Sequence, residues 1–433
     1  MNICKINSNK FILFFVIAVN AIIPLIVWPF GNDYFYLPKI IILSVLTVLL
    51  LCFILLNKPF KLSFSKDFLA LYFYLTFVLL SAIFSKYKAQ AFLGAHLRYE
   101  GALTLIIYSL ILYFSYKTSS EKDNIKYILI SLLISSCLIG IYSLIQYFGL
   151  DFIPRDAFRQ EWIYHSFATL GNPNFLGSHL SMTFMISLCL FLSCKKSKTS
   201  CLLFFVTLIL YSALICSRTR SAWVSTALTS LLFCILFFKN IIKNYKKIIV
   251  LLIACILITY SLNSVHDGFI SDRFLSFLND YKRITVDKDE IMRVGSQRIF
   301  IWTRTFEYIF DKPLLGNGPD TFNKVFFMTP DEAKYYFGSP LIYVDKAHNE
   351  YLQIAVTMGF PALFAYLWFL ALIIYKSFKA LKRHKNIYLV CLLSAVISYL
   401  IQAFFNISVV SVAPVFWSVL GLLMASYKKA GVR

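Results

Sequence analysis

Apolar residues in this chain are gathered into long blocks separated by short polar connections. Twelve such blocks run near residues 11–30, 38–56, 67–85, 100–116, 125–149, 174–193, 201–216, 220–238, 248–262, 349–375, 387–406 and 410–427. A helix needs roughly 20 apolar residues to cross the hydrocarbon core, and most blocks approach that length. They are continuously apolar rather than alternating, which predicts helices and not a barrel. The pattern therefore predicts an all-α polytopic membrane protein with about 12 transmembrane helices. Residues 1–433 form a single integral membrane domain, and residues 263–348 form one large extracytoplasmic loop between the ninth and tenth helices. Inside that loop Ile299, Trp302, Phe306 and Ile309 recur at helical spacing, as in a short amphipathic helix lying at the membrane interface. Pro313 ends this helix, Gly316 to Pro319 make a turn, and Asp320 is placed to cap a short helix over residues 321–327. Gly359, Phe360 and Pro361 predict a kink in the tenth span.

Composition supports this picture: 59% of residues are hydrophobic and mean hydropathy is +0.72. The formal net charge of +21 is a matter of topology. Alternate connections hold Lys5 and Lys10, Lys58 to Lys66, Lys117 to Lys126, Lys195 to Lys198, Lys239 to Lys247, Lys376 to Lys385, and Lys428 to Arg433, with only Asp67, Glu121 and Asp123 against them. The positive-inside rule puts those connections and both termini in the cytoplasm. The first block follows Lys5 and Lys10 and has no clear cleavage site, so it reads as a retained helix. No basic groove with interleaved aromatics is present, so the charge points to anionic lipid head groups and not to nucleic acid. Apart from Cys4, the cysteines lie in or beside spans and none falls in the long loop, which argues against structural disulfides and a cysteine metal site.

The remaining polar residues suggest chemistry on the outer side. His348 sits at the end of the long loop, where Asp345 can cap the following helix and leave the imidazole in its first turn. Helix N-termini attract anions and disfavour imidazolium, so a neutral base beside an anion fits there; an interfacial histidine that merely caps is the plainer alternative. Arg218 and Arg220 crowd a very short outward turn against the topological bias, where guanidinium groups are suited to gripping phosphate oxygens. Arg298 lies one helical turn from Trp302, whose indole can steady it. Arg98, beside Glu100 where another block begins, is either a subsidiary site residue or a snorkelling anchor. Gly171, Asn172, Pro173 and Asn174 form a rigid outward turn after a polar connection containing Arg155, Arg159, Glu161, Trp162 and His165, with Asn174 available as a helix cap.

Taken in order, Gly171-Asn172-Pro173-Asn174, Thr219-Arg220-Ser221-Ala222-Trp223, Gln297-Arg298 with Trp302, Pro313-Leu314-Leu315-Gly316-Asn317-Gly318, and His348-Asn349-Glu350-Tyr351-Leu352 resemble the O-antigen ligase and polymerase superfamily. The resemblance covers about residues 165–375 and implies a membrane glycosyltransferase of the bacterial cytoplasmic (inner) membrane, without metal or other cofactor, acting on its extracytoplasmic side. It implies an undecaprenyl-diphosphate-linked glycan as donor and a glycan or lipid-glycan hydroxyl as acceptor. Arg220 and Arg298 would bind the diphosphate and His348 would take the acceptor proton; Arg218, Arg98, Asn172, Asn349 and Glu350 are secondary candidates. The same motifs serve ligases of lipopolysaccharide type, chain polymerases and protein O-glycosylating members, so the acceptor stays open. A multi-span solute transporter is the reading of another class, but no convincing internal repeat accompanies it.

Overall fold

The computed structural model describes residues 8–56, 65–121, 124–155, 164–284, 288–384 and 386–432. Arg159, Glu161 and Trp162 of the polar connection, and Cys4 and Lys5 near the start, lie outside them. The described residues fold into helices, with no strand among them. In chain order these are α1 Ser8–Ala21, α2 Leu37–Leu56, α3 Leu69–Phe84, α4 Lys88–Leu93, α5 Ala102–Glu121, α6 Ile125–Tyr147, α7 Pro173–Ser193, α8 Ser197–Cys216 and α9 Arg220–Leu236. They continue with α10 Phe238–Lys243, α11 Tyr245–Val265, α12 Phe269–Ile284, α13 Lys288–Met292, α14 Val294–Ile309, α15 Pro330–Phe337, α16 Glu350–Arg383, α17 Ile387–Ala403 and α18 Ala413–Lys429. Every predicted apolar block overlaps a helix, although the first, 11–30, runs well past the end of α1 at Ala21. Eight helical stretches among the described residues are long and apolar enough to cross a membrane by length and composition, while the α1 stretch, α9 and α17 are shorter apolar helices.

Packing sorts the helices by what they face. α18 packs on α5, α7 on α17, and α3 on α16. α7 and α18 are enclosed nearly all round, whereas α2 and α11 turn Val45, Val48, Leu49, Ile253, Ile256 and Leu257 outward. A stripe that is apolar and unpaired on a multi-span chain is the face presented to lipid. Small and hydroxyl residues bring the inner helices together: Asn20 Nδ2 donates to Ser418 Oγ at 2.7 Å, and Ser115 and Ser418 share a hydrogen bond of 3.0 Å. At one end of the bundle Asp67 pairs with Lys376 and Lys428 and accepts from Tyr427 Oη at 3.2 Å, joining α3's approach to α16 and α18. The candidate site residues lie at the opposite helix ends.

The kink predicted at residues 359–361 is a complete break that the loop fills. Gly359 stands at φ 84° and ψ 167° between two helical halves of α16. Pro361 has no N–H to offer the Thr357 carbonyl one turn back, and that oxygen instead takes Asn317 N at 3.0 Å, Gly318 N at 2.8 Å and Ser81 Oγ at 3.0 Å. In exchange Phe360 N donates to Pro313 O at 2.8 Å, and Asn317 Nδ2 reaches Val356 O at 3.3 Å. A Cβ on Gly316 would lie 2.3 Å from the Thr357 carbonyl carbon, and one on Gly359 would lie 2.3 Å from Leu314 O. The Pro313–Gly318 turn and the helix break are therefore one interlocked unit, and it fastens the long loop to α16 just below His348. The predicted helix over 321–327 is only a 3₁₀ turn, Phe322–Lys324, with no side-chain cap, because the Asp320 carboxylate is drawn into a distant ion pair and the Thr321 hydroxyl donates to Gly318 O at 2.7 Å.

Candidate functional site

Three turns and one loop meet at this end of the bundle. Asn172, not Asn174, caps α7: its side chain accepts from Asn174 N at 2.9 Å, with Pro173 in the first turn where a missing N–H costs nothing. Thr219 Oγ1 donates to Pro173 O at 2.8 Å, and a Cβ on Gly177 would meet Thr219 and Ala222 at 2.8 Å, so the start of α9 sits hard against α7. That contact fixes Arg220. Its Nη1 donates to Asp280 Oδ2 at 2.6 Å and to Ser276 Oγ at 3.1 Å on α12, and its Nη2 reaches Ser296 Oγ at 3.4 Å.

Ser296 belongs to a second break. Gly295, Ser296 and Gln297 all have φ between 60° and 67°, so the regular part of α14 begins at Arg298. Gly295 N donates to Asp280 Oδ2 at 3.3 Å, which ties this break to the carboxylate that holds Arg220. Arg298 itself has no hydrogen-bond or ion-pair partner among the described residues. Burial lowers its pKa to about 10, helped by the like charges of Arg220 and Arg273 and opposed by Asp280. A guanidinium without a counter-ion, at a helix start beside two further guanidinium groups, is an anion site in waiting. Trp302 does not steady Arg298 as predicted. Its indole N–H donates to Ala347 O at 3.0 Å while its ring packs edge-on against Phe404, 5.3 Å between centroids.

That bond joins α14 to the segment that bears His348. Ala347 is held from both sides, its carbonyl by Trp302 and its N–H by Gln353 Oε1 at 2.9 Å. His348 follows with φ 49°, and Asn349 is the cap of α16, accepting from Tyr351 N at 3.0 Å and Leu352 N at 3.1 Å. The prediction that Asp345 caps the helix is thus corrected, and His348 lies just before the helix instead of in its first turn. Arg98 recruits Asp345, with Nε 2.7 Å from Oδ2, and Asn349 sits nearer the first free N–H groups. Lys346 pairs with Asp320, both nearly sealed from solvent at 3% and 0% exposure, and Asp320 Oδ2 also accepts Ala95 N at 2.6 Å and Glu100 N at 3.0 Å. The segment around His348 is therefore pinned to the α4–α5 loop directly by the Arg98–Asp345 ion pair and, through Asp320, by the Lys346 ion pair and two backbone hydrogen bonds.

The ring nitrogens of His348 have no hydrogen-bond partner among the described residues. Burial first, and then the Arg298 charge, lower its pKa to about 4, with Asp345 opposing. Burial alone would raise Asp345, but Arg98 holds it below the usual carboxylate range. The resulting imidazole is neutral near pH 7 with a free nitrogen, as a general base requires. Arg220, Arg298 and His348 thus come to one end of the bundle, each adjoining the next electrostatically. Non-glycine residues in left-handed backbone, Arg218, Ser296, Gln297, Asp320 and His348, gather around them. Such conformations cost about 1–3 kcal/mol apiece and persist where surrounding contacts impose them.

The secondary candidates divide differently. Arg218 turns to Phe269, its Cζ 3.4 Å from the ring centroid, and to His165 Nε2 at 3.4 Å, while its Nε is buried without a partner; burial lowers its pKa to about 10. Asn172 and Asn349 serve as caps. Glu350 faces inward, accepting from Tyr366 Oη at 2.7 Å and Tyr399 Oη at 3.0 Å. Arg273 and Asp280 were not singled out from the sequence, because their segment reads as a loop of mixed charge. The available signal was the spacing of Arg273, Ser276 and Asp280 along one stripe, with Phe274, Phe277, Leu278 and Tyr281 on the other.

Residues 203–367 match the family described as O-antigen ligase. No curated protein matches the chain. The matched region contains the turns bearing Arg220 and Arg298, the Pro313–Gly318 turn and His348, and leaves Gly171–Asn174 outside. Over the part of the chain that carries these three side chains, the protein is thus similar to the O-antigen ligase family.

Proposed function

We propose that this protein transfers a glycan from undecaprenyl diphosphate to a hydroxyl acceptor on the extracytoplasmic face of the bacterial cytoplasmic membrane, in surface polysaccharide assembly. The observation that carries the reading is an unpaired Arg298 lying between Arg220 and a neutral His348. In the reaction the bond from the anomeric carbon to the phosphate oxygen breaks, and its electron pair stays on the diphosphate. The acceptor oxygen forms the new bond to that carbon and releases its proton to His348. Arg220 and Arg298 stabilise the charge that appears on the leaving diphosphate; fixed donors aimed at developing charge are worth roughly 10²–10³ in rate each. A transporter would need a broken helix opening on a water-lined path, whereas the α16 break is filled by the Pro313–Gly318 turn.

The test is reconstitution. Purified protein in proteoliposomes, supplied with polyprenyl-diphosphate-linked glycan and a hydroxyl acceptor, consumes the lipid-linked form and yields glycosylated acceptor. Solute uptake without glycan transfer is the contrary result. Comparing surface glycan with and without the protein then separates the acceptors: full-length chains stranded on carrier lipid indicate a ligase, and single attached units without long chains indicate a polymerase.

A further inference from the structure

The charge inventory around Arg220 is larger than two arginines. Arg273 projects from α12 one turn before Ser276 and two before Asp280. Its Nε donates to Arg218 O at 3.1 Å, and its terminal nitrogens have no hydrogen-bond partner among the described residues. Arg220, Arg273 and Arg298 repel one another across a shared space, and Asp280 is the carboxylate acting on both Arg273 and Arg298 while bonding Arg220 directly. Arg283 Nη1 also lies 3.9 Å from Asp280 Oδ1, but it has its own carboxylate in Glu290 at 3.5 Å, so Arg220, Arg273, Arg298 and Asp280 together leave a net charge of two positives. A lipid-linked glycan carries a diphosphate diester with two negatives, whereas the lipid diphosphate left after transfer is a monoester that bears up to three.

We propose that Arg273 is a third guanidinium of the diphosphate site, and that Asp280 is a resident counter-ion which holds Arg220 in the empty site and yields it to the diphosphate. This rests on the function proposed above and adds a device to it. Asp280 repels the triply charged product more than the doubly charged donor, so it narrows the electrostatic preference that three guanidinium groups alone would give the product. Ser276 Oγ and Ser296 Oγ keep Arg220 oriented during the exchange. The carboxylate is also a strut between α9 and α12, and a purely structural strut makes no difference between the two phosphate forms.

The experiment measures binding of two soluble probes to the full-length protein in nanodiscs across a salt series: farnesyl diphosphate as the monoester and a farnesyl diphosphate glucosyl diester. D280N tightens both probes, the monoester by about tenfold more strongly than wild type binds it and the diester less, with a steeper salt dependence; D280E returns wild-type values. R273Q weakens the monoester by about tenfold and the diester less, and R273K recovers most of the loss. If D280N weakens both probes or leaves them unchanged, Asp280 is a strut and the exchange is refuted. Should D280N not fold, R273Q carries the test alone, and an affinity within about twofold of wild type for both probes removes Arg273 from the site. R298Q separates the two levels of the argument: if it binds both probes as wild type does, the diphosphate reading itself falls, whereas loss in R298Q with no change in R273Q and D280N overturns only this inference.

Discussion

His348 is useful because its surroundings refuse it a proton. Burial and Arg298 hold its pKa at about 4, so the imidazole is neutral over the working range and charges only as pH falls through that value. Activity that needs the neutral ring is therefore predicted to hold in kcat/KM down to about pH 5, below the roughly 6.5 of an ordinary histidine, and to fall on the acid side of it. Removing the cation in R298Q lets the His348 titration rise toward the ordinary value, which ¹⁵N NMR of the ring reports directly; an unmoved titration would mean that the two groups do not share a site. Trp302 reaches the same residue through the backbone. W302F keeps the ring against Phe404 but leaves the Ala347 carbonyl without its donor, a loss of about 1–3 kcal/mol in a buried setting. We expect kcat to drop by about tenfold with lipid diphosphate affinity nearly intact, and an equal loss in both would point to general unfolding of the loop. At this scale Arg220 and His348 drew notice because charged or titratable side chains beside helix starts in an apolar chain have few reasons to be there, whereas Arg298 drew notice by its spacing to Trp302, a contact the structure does not make. The caps were not legible: Asp345 and Asn349 are equally good caps by type, and only Arg98, distant in sequence, decides which is free. Asp320 was lost to Lys346 in the same way.

Elements carry the site by interlocking. The apolar blocks were readable as helices because hydrocarbon thickness sets a length, although only eight helical stretches among the described residues are long and apolar enough to span a membrane. α14 was readable from its apolar spacing, while α12 was submerged in the loop because its charges were counted without regard to face. The α16 break was predicted as a kink, but the sequence does not reveal that the Pro313–Gly318 turn supplies the donors that Pro361 withholds from Thr357. This arrangement makes unequal predictions for neighbouring positions. G359A and G316A force a Cβ toward backbone atoms 2.3 Å away from positive φ, and each is expected to cost at least about 2 kcal/mol, read as a lowered unfolding midpoint in detergent. P361A restores an N–H but removes no contact of the turn, so its cost is expected to stay under about 1 kcal/mol, and the two glycine variants behaving as mildly would show that the interlock does not hold α16.

Across the whole molecule, one end of the bundle gathers Asp67, Lys376 and Lys428, and the other gathers the arginines and His348. The positive-inside rule predicts that the first end faces the cytoplasm, and a membrane-impermeant maleimide tests the prediction. In intact spheroplasts it should label a cysteine placed at the exposed Tyr343 but not one placed at Lys198, and the reverse labelling would put the site on the wrong side for an extracytoplasmic transferase. The sequence motifs do not assign the acceptor, because on the proposed function Arg220, Arg298 and His348 act on the donor's diphosphate, which ligases and polymerases would share. The proposed function requires three side chains to act upon one lipid diphosphate, and glycan transfer in proteoliposomes by R220A, R298A and H348A measures that most directly. All three are predicted to insert and pack as wild type does while transfer falls by about 10² or more in each. Transfer at the wild-type rate by all three variants would contradict it.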